Sequence, residues 1–259
     1  MRRGGTLFVL LTLGGLAACG RPPVAASAPS PVPTAPGASA SVPFGDLSRF
    51  AVGRTDKGPQ SHGFTEVYER FLFTRRNDPI RILEIGIDQG GSLKMWADYF
   101  PRAEIYGIDI EDRRSMETDR VKTFVADQSK RDQLGAFLAK HPGPFDVILD
   151  DGGHSMEQQQ VSLGFLFPQV APGGIYVVED VHTSLKAFYP YKGFGADDDG
   201  ANTTLRMLET FFRTGKFESR YMSADEAAFL TKEVEVSNLF HRPGPPPSIT
   251  CLLRRKAAR

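Results

Sequence analysis

From residue 80 onward, short apolar runs alternate with amphipathic ones. RILEIGI (81–87), AEIYGIDI (103–110), VKTFVAD (121–127), FDVILDD (145–151) and GIYVVED (174–180) are aliphatic and rich in β-branched residues. Such near-continuous apolar runs suit strands covered on both faces. Between them, SLKMWADYF (92–100), SKRDQLGAFLAKH (129–141) and SMEQQQVSLGFLFPQV (155–170) read as helices. In the second of these, Leu134, Phe137 and Leu138 recur at helical spacing. Pro172-Gly173-Gly174 is the expected break between the third helix and its strand. Strand alternating with helix predicts an α/β fold, a doubly wound and mostly parallel sheet of Rossmann-like type with right-handed crossovers. Ligands then sit beyond the carboxyl ends of the strands. Past residue 200, TTLRMLETFFRTG (203–215) predicts a helix, and KEVEVSNLF (232–240) with SITCLLRR (248–255) a closing antiparallel hairpin.

The front of the chain follows neither period. Residues 1–19 carry two arginines, an apolar stretch too short to span a bilayer, and small residues, the three parts of an export signal. Leu16-Ala17-Ala18-Cys19 resembles a bacterial lipobox, with Cys19 as the lipidated residue. Residues 20–43 are a Pro/Ala/Ser-rich run with one charge, which cannot bury enough apolar surface to fold and reads as a disordered linker. Residues 44–259 are expected to form the folded domain. The expected location is therefore the cell envelope, with the membrane reached only through a lipid at Cys19. A start at Val24, Val32 or Val42 would instead make the protein cytoplasmic.

Charge and cysteine content narrow the partners. Lys+Arg and Asp+Glu both number 31. Three of the basic residues precede position 44, leaving 28 basic against 31 acidic in the folded part, which argues against nucleic acid as a partner. Two cysteines, one of them Cys19, rule out a disulfide framework, and Cys251 reads as a buried filler. The oligomeric state is not written in the sequence.

Two runs carry the candidate chemistry. ILDDGGH (148–154) and YVVED (176–180) each end a strand and then present carboxylates, so Asp150, Asp151, Glu179 and Asp180 are expected to converge at one sheet edge. Crowded carboxylates call for a positive charge between them, and a hard divalent cation is the usual one. His154 follows Asp151 by three positions, and Ser155 with Gln158 predicts a capping box opening the next helix. Upstream, Glu84-Ile85-Gly86-Ile87-Asp88-Gln89-Gly90-Gly91-Ser92 joins the first strand to its helix, whose N-terminus favours an anionic group. A dinucleotide fingerprint would need glycine where Asp88 stands, which counts against an NAD-dependent dehydrogenase. Asp109 suits a ribose diol, Asp127-Gln128 an adenine amino group, and Asp150 the amino group of a donor.

Together, TDKGPQSHGFTEVYERF (55–71), LEIGIDQGGSLKMWADYFPRAEIYGIDI (83–110), the ADQ at 126–128 and DDGGHSMEQQQVSLGFLFPQVAPGGIYVVEDVHTS (150–184) resemble the class I S-adenosylmethionine-dependent methyltransferases. More narrowly, they are similar to the metal-dependent O-methyltransferases that modify macrolide and tetracenomycin sugars. The resemblance implies donor contacts at Glu84, Gly86, Ser92, Asp109, Asp127, Gln128 and Asp150. It implies Mg²⁺ on Asp151, Glu179 and Asp180, with His154 as general base. The chain has DDGGH where relatives often have DDGSH, and its export-type front replaces the extra N-terminal domain of some members. The implied reaction is methyl transfer to a hydroxyl of a sugar or small polyhydroxylated natural product. The competing reading is a lipid-anchored, non-catalytic binding module that keeps the fold. His62 and His182 are looser candidates, and Tyr189, Tyr191 and Phe194 are candidates to line an acceptor pocket.

Overall fold

The computed structural model describes residues 45–190, 193–244 and 247–258; the expected signal and linker, and Tyr191, lie outside these residues. Seven strands form one sheet: β1 (Arg81–Ile85), β2 (Glu104–Asp109), β3 (Val121–Val125), β4 (Phe145–Asp150), β5 (Val170–Val178), β6 (Val234–Arg242) and β7 (Ser248–Arg255). Their order is β3-β2-β1-β4-β5-β7-β6. The first five strands are parallel, and β7 runs antiparallel to both β5 and β6, as the sequence predicts. The order reverses between β1 and β4, which places the ligand crevice over the carboxyl ends of those two strands.

Strand period two divides the core between the faces. Leu83, Ile85, Ile148, Tyr176 and Val178 pack under α4 (Arg131–Lys140), α5 (Met156–Leu166), α6 (Thr204–Thr214) and α7 (Ala224–Glu233). Ile82, Val147, Leu149, Ile175 and Val177 face α1 (Asp46–Ala51), α2 (Phe64–Leu72) and α3 (Gly91–Tyr99). Phe145 joins the first cluster despite its parity because the β4–β5 register shifts between Phe145 and Val147.

Three details differ from the sequence reading. The helix expected to reach 170 ends at Leu166, and a 3-10 turn, Phe167–Gln169, follows. Pro168 is the reason, because its ring cannot continue an α-helix. Pro172-Gly173-Gly174 does not separate the helix from the strand; it lies inside β5, which starts at Val170. Helix α7 occupies a stretch the sequence reading leaves unassigned up to Thr231, and its last two residues, Lys232 and Glu233, are helical where the reading starts a strand; a Ser223–Glu226 capping box opens the helix. The predicted Ser155–Gln158 capping box is present at the start of α5.

Helices α1 and α2 were also unassigned. Glu69 of α2 joins them: its carboxylate accepts the N–H groups of Gly45 (2.7 Å), Asp46 (3.0 Å) and Leu47 (3.1 Å) at the start of α1, and the Tyr99 hydroxyl of α3 at 3.1 Å. The carboxylate answers the unsatisfied donors and positive end of a helix N-terminus. This packing fixes the 52–63 connection across the carboxyl edge of the sheet. Among the described residues, no helix is long and apolar enough to cross a membrane.

Candidate active site

The loop after β1 is shaped by its contact with the loop after β4. Gly86 has φ 87°, and a β-carbon there would overlap the carbonyl oxygen of Asp151. Asp151 in turn donates its N–H to Ile85 O at 2.9 Å. Gly91 is equally constrained, since a β-carbon there would overlap the carbonyl of Arg54. Asp109 at the end of β2 holds the loop from the other side, accepting from Ile87 N (2.8 Å), Asp88 N (3.1 Å) and Glu111 N (2.8 Å). Burial opposes its charge, but these N–H donors and Arg113 outweigh burial and hold the carboxyl below its ordinary range. Beside this loop runs a cleft lined by Gly86, Asp88, Asp109, Ile110, Asp127, Gln128, Asp151, Gly152 and Gln158, among others.

The predicted donor residues divide between cleft and core. Gly86, Asp109, Asp127 and Gln128 line the cleft. Gln128 also ties the loops together, accepting from Gly153 N at 2.8 Å and donating to Asp150 Oδ1 at 2.8 Å. Asp127 accepts the N–H of Ser129 at 2.8 Å, as a turn cap does. Asp150 is fully buried and turned to the α5 face, where Ser162 and Tyr176 also donate to it. Burial pushes its pKa up to about 6. Glu84 is fully buried behind the loop with Ser92 and Trp96 beside it. Neither of its carboxylate oxygens has a hydrogen-bond partner, and burial raises its pKa to about 7.

Of the four acidic residues expected to converge, strand alternation turns Asp150 away, while Asp151, Glu179 and Asp180 stay close enough to act on one another. Asp150 points to the α5 face. Glu179 points to the opposite face, where Tyr68 Oη donates to Oε1 at 2.6 Å and Lys57 Nζ to Oε2 at 2.8 Å. Asp151 and Asp180 remain at the sheet edge with His154, and one ligand atom from each of the three lies within 4.8 Å of the others. His154 Nε2 stands 3.3 Å from Asp180 Oδ2 and 4.0 Å from Asp151 Oδ1. His154 (φ 56°) and Asp180 (φ 52°) both adopt left-handed backbone, which is uncommon outside glycine and is found at functional sites. Asp180 Oδ1 and His154 Nδ1 are buried without a hydrogen-bond partner. The orphaned Asp180 oxygen, with the Asp151 carboxylate beside it at the cleft, fits a hard cation that keeps part of its water shell.

Lys57 and Tyr68 are the residues that sequence reasoning missed. Lys57 is 1% exposed, hydrogen-bonds Asp151 as well as Glu179, and lies 3.6 Å from Glu84. Burial disfavours its charge, yet three carboxylates outweigh burial and hold the amine well above its ordinary range. The acids outnumber the amine, so burial and Asp151 together push Glu179 up as well. The only sequence signal was the position of Lys57 in the Thr55-Asp56-Lys57-Gly58 turn.

His62 and His182 also flank Asp180 Oδ1, at 3.8 Å and 3.6 Å. Their rings stack 5.9 Å apart, and burial lowers the His182 pKa. Phe188 lies 5.5 Å from His182, and Phe194 lies 6.2 Å beyond Phe188. The Tyr189 hydroxyl packs against Gly200.

Known proteins place this geometry. The family model described as a methyltransferase domain matches residues 83–181, which run from β1 past Asp180. The chain is 43% identical over 161 residues to demethylmacrocin O-methyltransferase of Streptomyces fradiae, covering 60% of this chain and 39% of that protein. It is 36% identical over 198 residues to L-olivosyl-oleandolide 3-O-methyltransferase of Streptomyces antibioticus, covering 73% of this chain and 50% of the relative. Among solved structures, the chain is similar to the MycE methyltransferase from the mycinamycin biosynthetic pathway in complex with Mg, SAH and mycinamycin VI. That match has a TM-score of 0.68 at 30% identity and covers 82% of this chain and 55% of MycE. The chain thus spans about half, or less, of the length of these relatives.

Proposed function

We propose that this protein is an S-adenosylmethionine-dependent, Mg²⁺-assisted O-methyltransferase acting on a hydroxyl of a sugar or small polyhydroxylated natural product. The observation that carries this reading is the grouping of Asp151, His154 and Asp180 within 4.8 Å beside a cleft lined by Gly86 and Asp109. Relatives that methylate sugars of macrolides support the acceptor class.

Asp151 and Asp180 are the residues that would hold Mg²⁺, which would supply charge to acidify an alcohol, while S-adenosylmethionine would supply the methyl group on a sulfonium. The protein does the rest. Asp109 and the loop it braces offer the ribose site, with Asp127 and Gln128 beyond it. Glu179 adds negative charge next to Asp151, and it joins the ligands only by exchanging its hydrogen bond from Lys57. His154 Nε2, facing Asp151 and Asp180, accepts the hydroxyl proton as the C–O bond forms, the C–S bond breaks and sulfur keeps the electron pair. Calorimetry of the full chain with S-adenosylmethionine and with Mg²⁺ tests the reading; absence of donor binding would favour a non-catalytic module instead.

We also propose that residues 1–19 direct export and that Cys19 carries a lipid, with 20–43 as tether and 44–259 as the methyltransferase domain. Palmitate labelling and fractionation of the native protein test this; an unlabelled protein in the soluble fraction would reject it.

A further inference from the structure

Lys57 sits where few lysines do. Its side chain is 1% exposed, and its ammonium is shared among three carboxylates from three neighbouring strands: Glu84 within β1, Asp151 just after β4 and Glu179 just after β5. The backbone around it is held firmly. Lys57 O accepts from Thr65 N at 3.0 Å in the first turn of α2, and Gly63 N closes on Gly58 O at 2.9 Å. The ammonium is therefore placed by its own turn as well as drawn in by the acids.

Asp151 is divided between two neighbourhoods. Its Oδ2 is bound by Lys57, while Oδ1 faces His154. Both Glu179 oxygens are engaged, one by the Lys57 ammonium and the other by the Tyr68 hydroxyl. A cation seated between Asp151 and Asp180 thus shares Asp151 with a lysine, and recruits Glu179 only by displacing an ammonium hydrogen bond. Two positive charges on one carboxylate repel, and burial weakens the screening of that repulsion.

We propose that Lys57 is a positioning residue that competes with a divalent cation for the Asp151 and Glu179 carboxylates, and so sets the affinity of the site for that cation. The proposal rests on the reading of Asp151 and Asp180 as metal ligands. It also explains why a lysine is kept in a position that costs desolvation. The ammonium holds the acids together and keeps the ion exchangeable instead of permanently bound.

The test is Mg²⁺ calorimetry, with thermal unfolding measured with and without Mg²⁺, on the full-length wild type, Lys57→Met, Lys57→Gln and Lys57→Arg. The two neutral variants should bind Mg²⁺ roughly tenfold tighter or more, on the scale expected for one lost charge–charge repulsion. Their Tm should rise more on adding Mg²⁺ than that of the wild type. Lys57→Arg keeps the charge and should stay within about threefold of the wild-type affinity. A purely structural role would lower Tm equally with and without the ion. If the wild type binds Mg²⁺ and the neutral variants bind no tighter, the Lys57 proposal falls and the metal reading stands. If no form binds Mg²⁺, both fall. Should Lys57→Met be unfolded without the ion, recovery of its circular dichroism on Mg²⁺ titration supports the proposal. Failure to recover, with Lys57→Gln no tighter than wild type, overturns it.

Discussion

The backbone of Gly86 runs so close to the carbonyl oxygen of Asp151 that a β-carbon on Gly86 would overlap that oxygen. The donor loop and the candidate metal loop are therefore one mechanical unit. Gly86→Ala must move one loop away from the other and also strain φ 87°. The expected outcome is a loss of about 1–3 kcal/mol in denaturant unfolding, with weakened S-adenosylmethionine binding by calorimetry. Unchanged donor affinity would show that the contact does not shape the cleft.

Asp151 reaches both the cleft and the carboxylate pair, but its side chain faces Lys57 and His154. Asp151→Ala should abolish Mg²⁺ binding and turnover while S-adenosylmethionine binding survives within a few-fold. Equal turnover by the variant in the presence of a chelator would reject the metal role.

His154→Ala should lower turnover by roughly 10²–10⁴-fold, the usual contribution of a positioned base. Donor affinity should not change, because His154 is not among the residues lining the donor cleft. Competing turnover measurements at saturating donor would expose a base located elsewhere if the loss were under about threefold.

Glu84 provides a pH test. Burial raises its carboxyl from 4.5 to about 7, so the folded state holds this proton more tightly than the unfolded chain does. The resulting stabilisation is complete below about pH 4.5 and is lost as pH rises through about 7. Glu84→Gln lacks this slope. Relative to the wild type, it should gain stability between roughly pH 5 and pH 8, up to a ceiling on the order of 3 kcal/mol. Denaturant midpoints across that range measure it, and parallel curves for the two proteins would contradict the assigned burial effect.

The parts of the fold and site that could be read from sequence share one property: they are set by local pattern. The five parallel strands, the β6–β7 hairpin and the Ser155–Gln158 cap were each written in a period or a short motif. Helix α7 carries the same kind of signal at Ser223 and Glu226, but the alternating Val234 and Val236 that follow it are a strand pattern that starts where the helix ends. Helix α1 has six residues, too few to show a period, whereas α2 does repeat buried apolar residues at Phe64, Tyr68 and Leu72; what joins the two is Glu69, which sits 22 to 24 positions from the donors it caps. In the site, adjacency was misleading. Asp150 and Asp151 are neighbours in sequence, yet strand alternation sends Asp150 into the α5 face. The turn around Lys57 shows where it sits in the chain but not its role, because its burial depends on carboxylates 27, 94 and 122 positions away.

The central claim is a divalent cation on Asp151 and Asp180 next to a bound methyl donor. Crystals of the full chain grown with S-adenosylhomocysteine and soaked in Mn²⁺ test it by anomalous scattering. The account predicts a peak within about 2.5 Å of both carboxylates, with the nucleoside in the cleft beside Gly86 and Asp109. A peak away from Asp151 and Asp180, or none with the nucleoside bound, would contradict it.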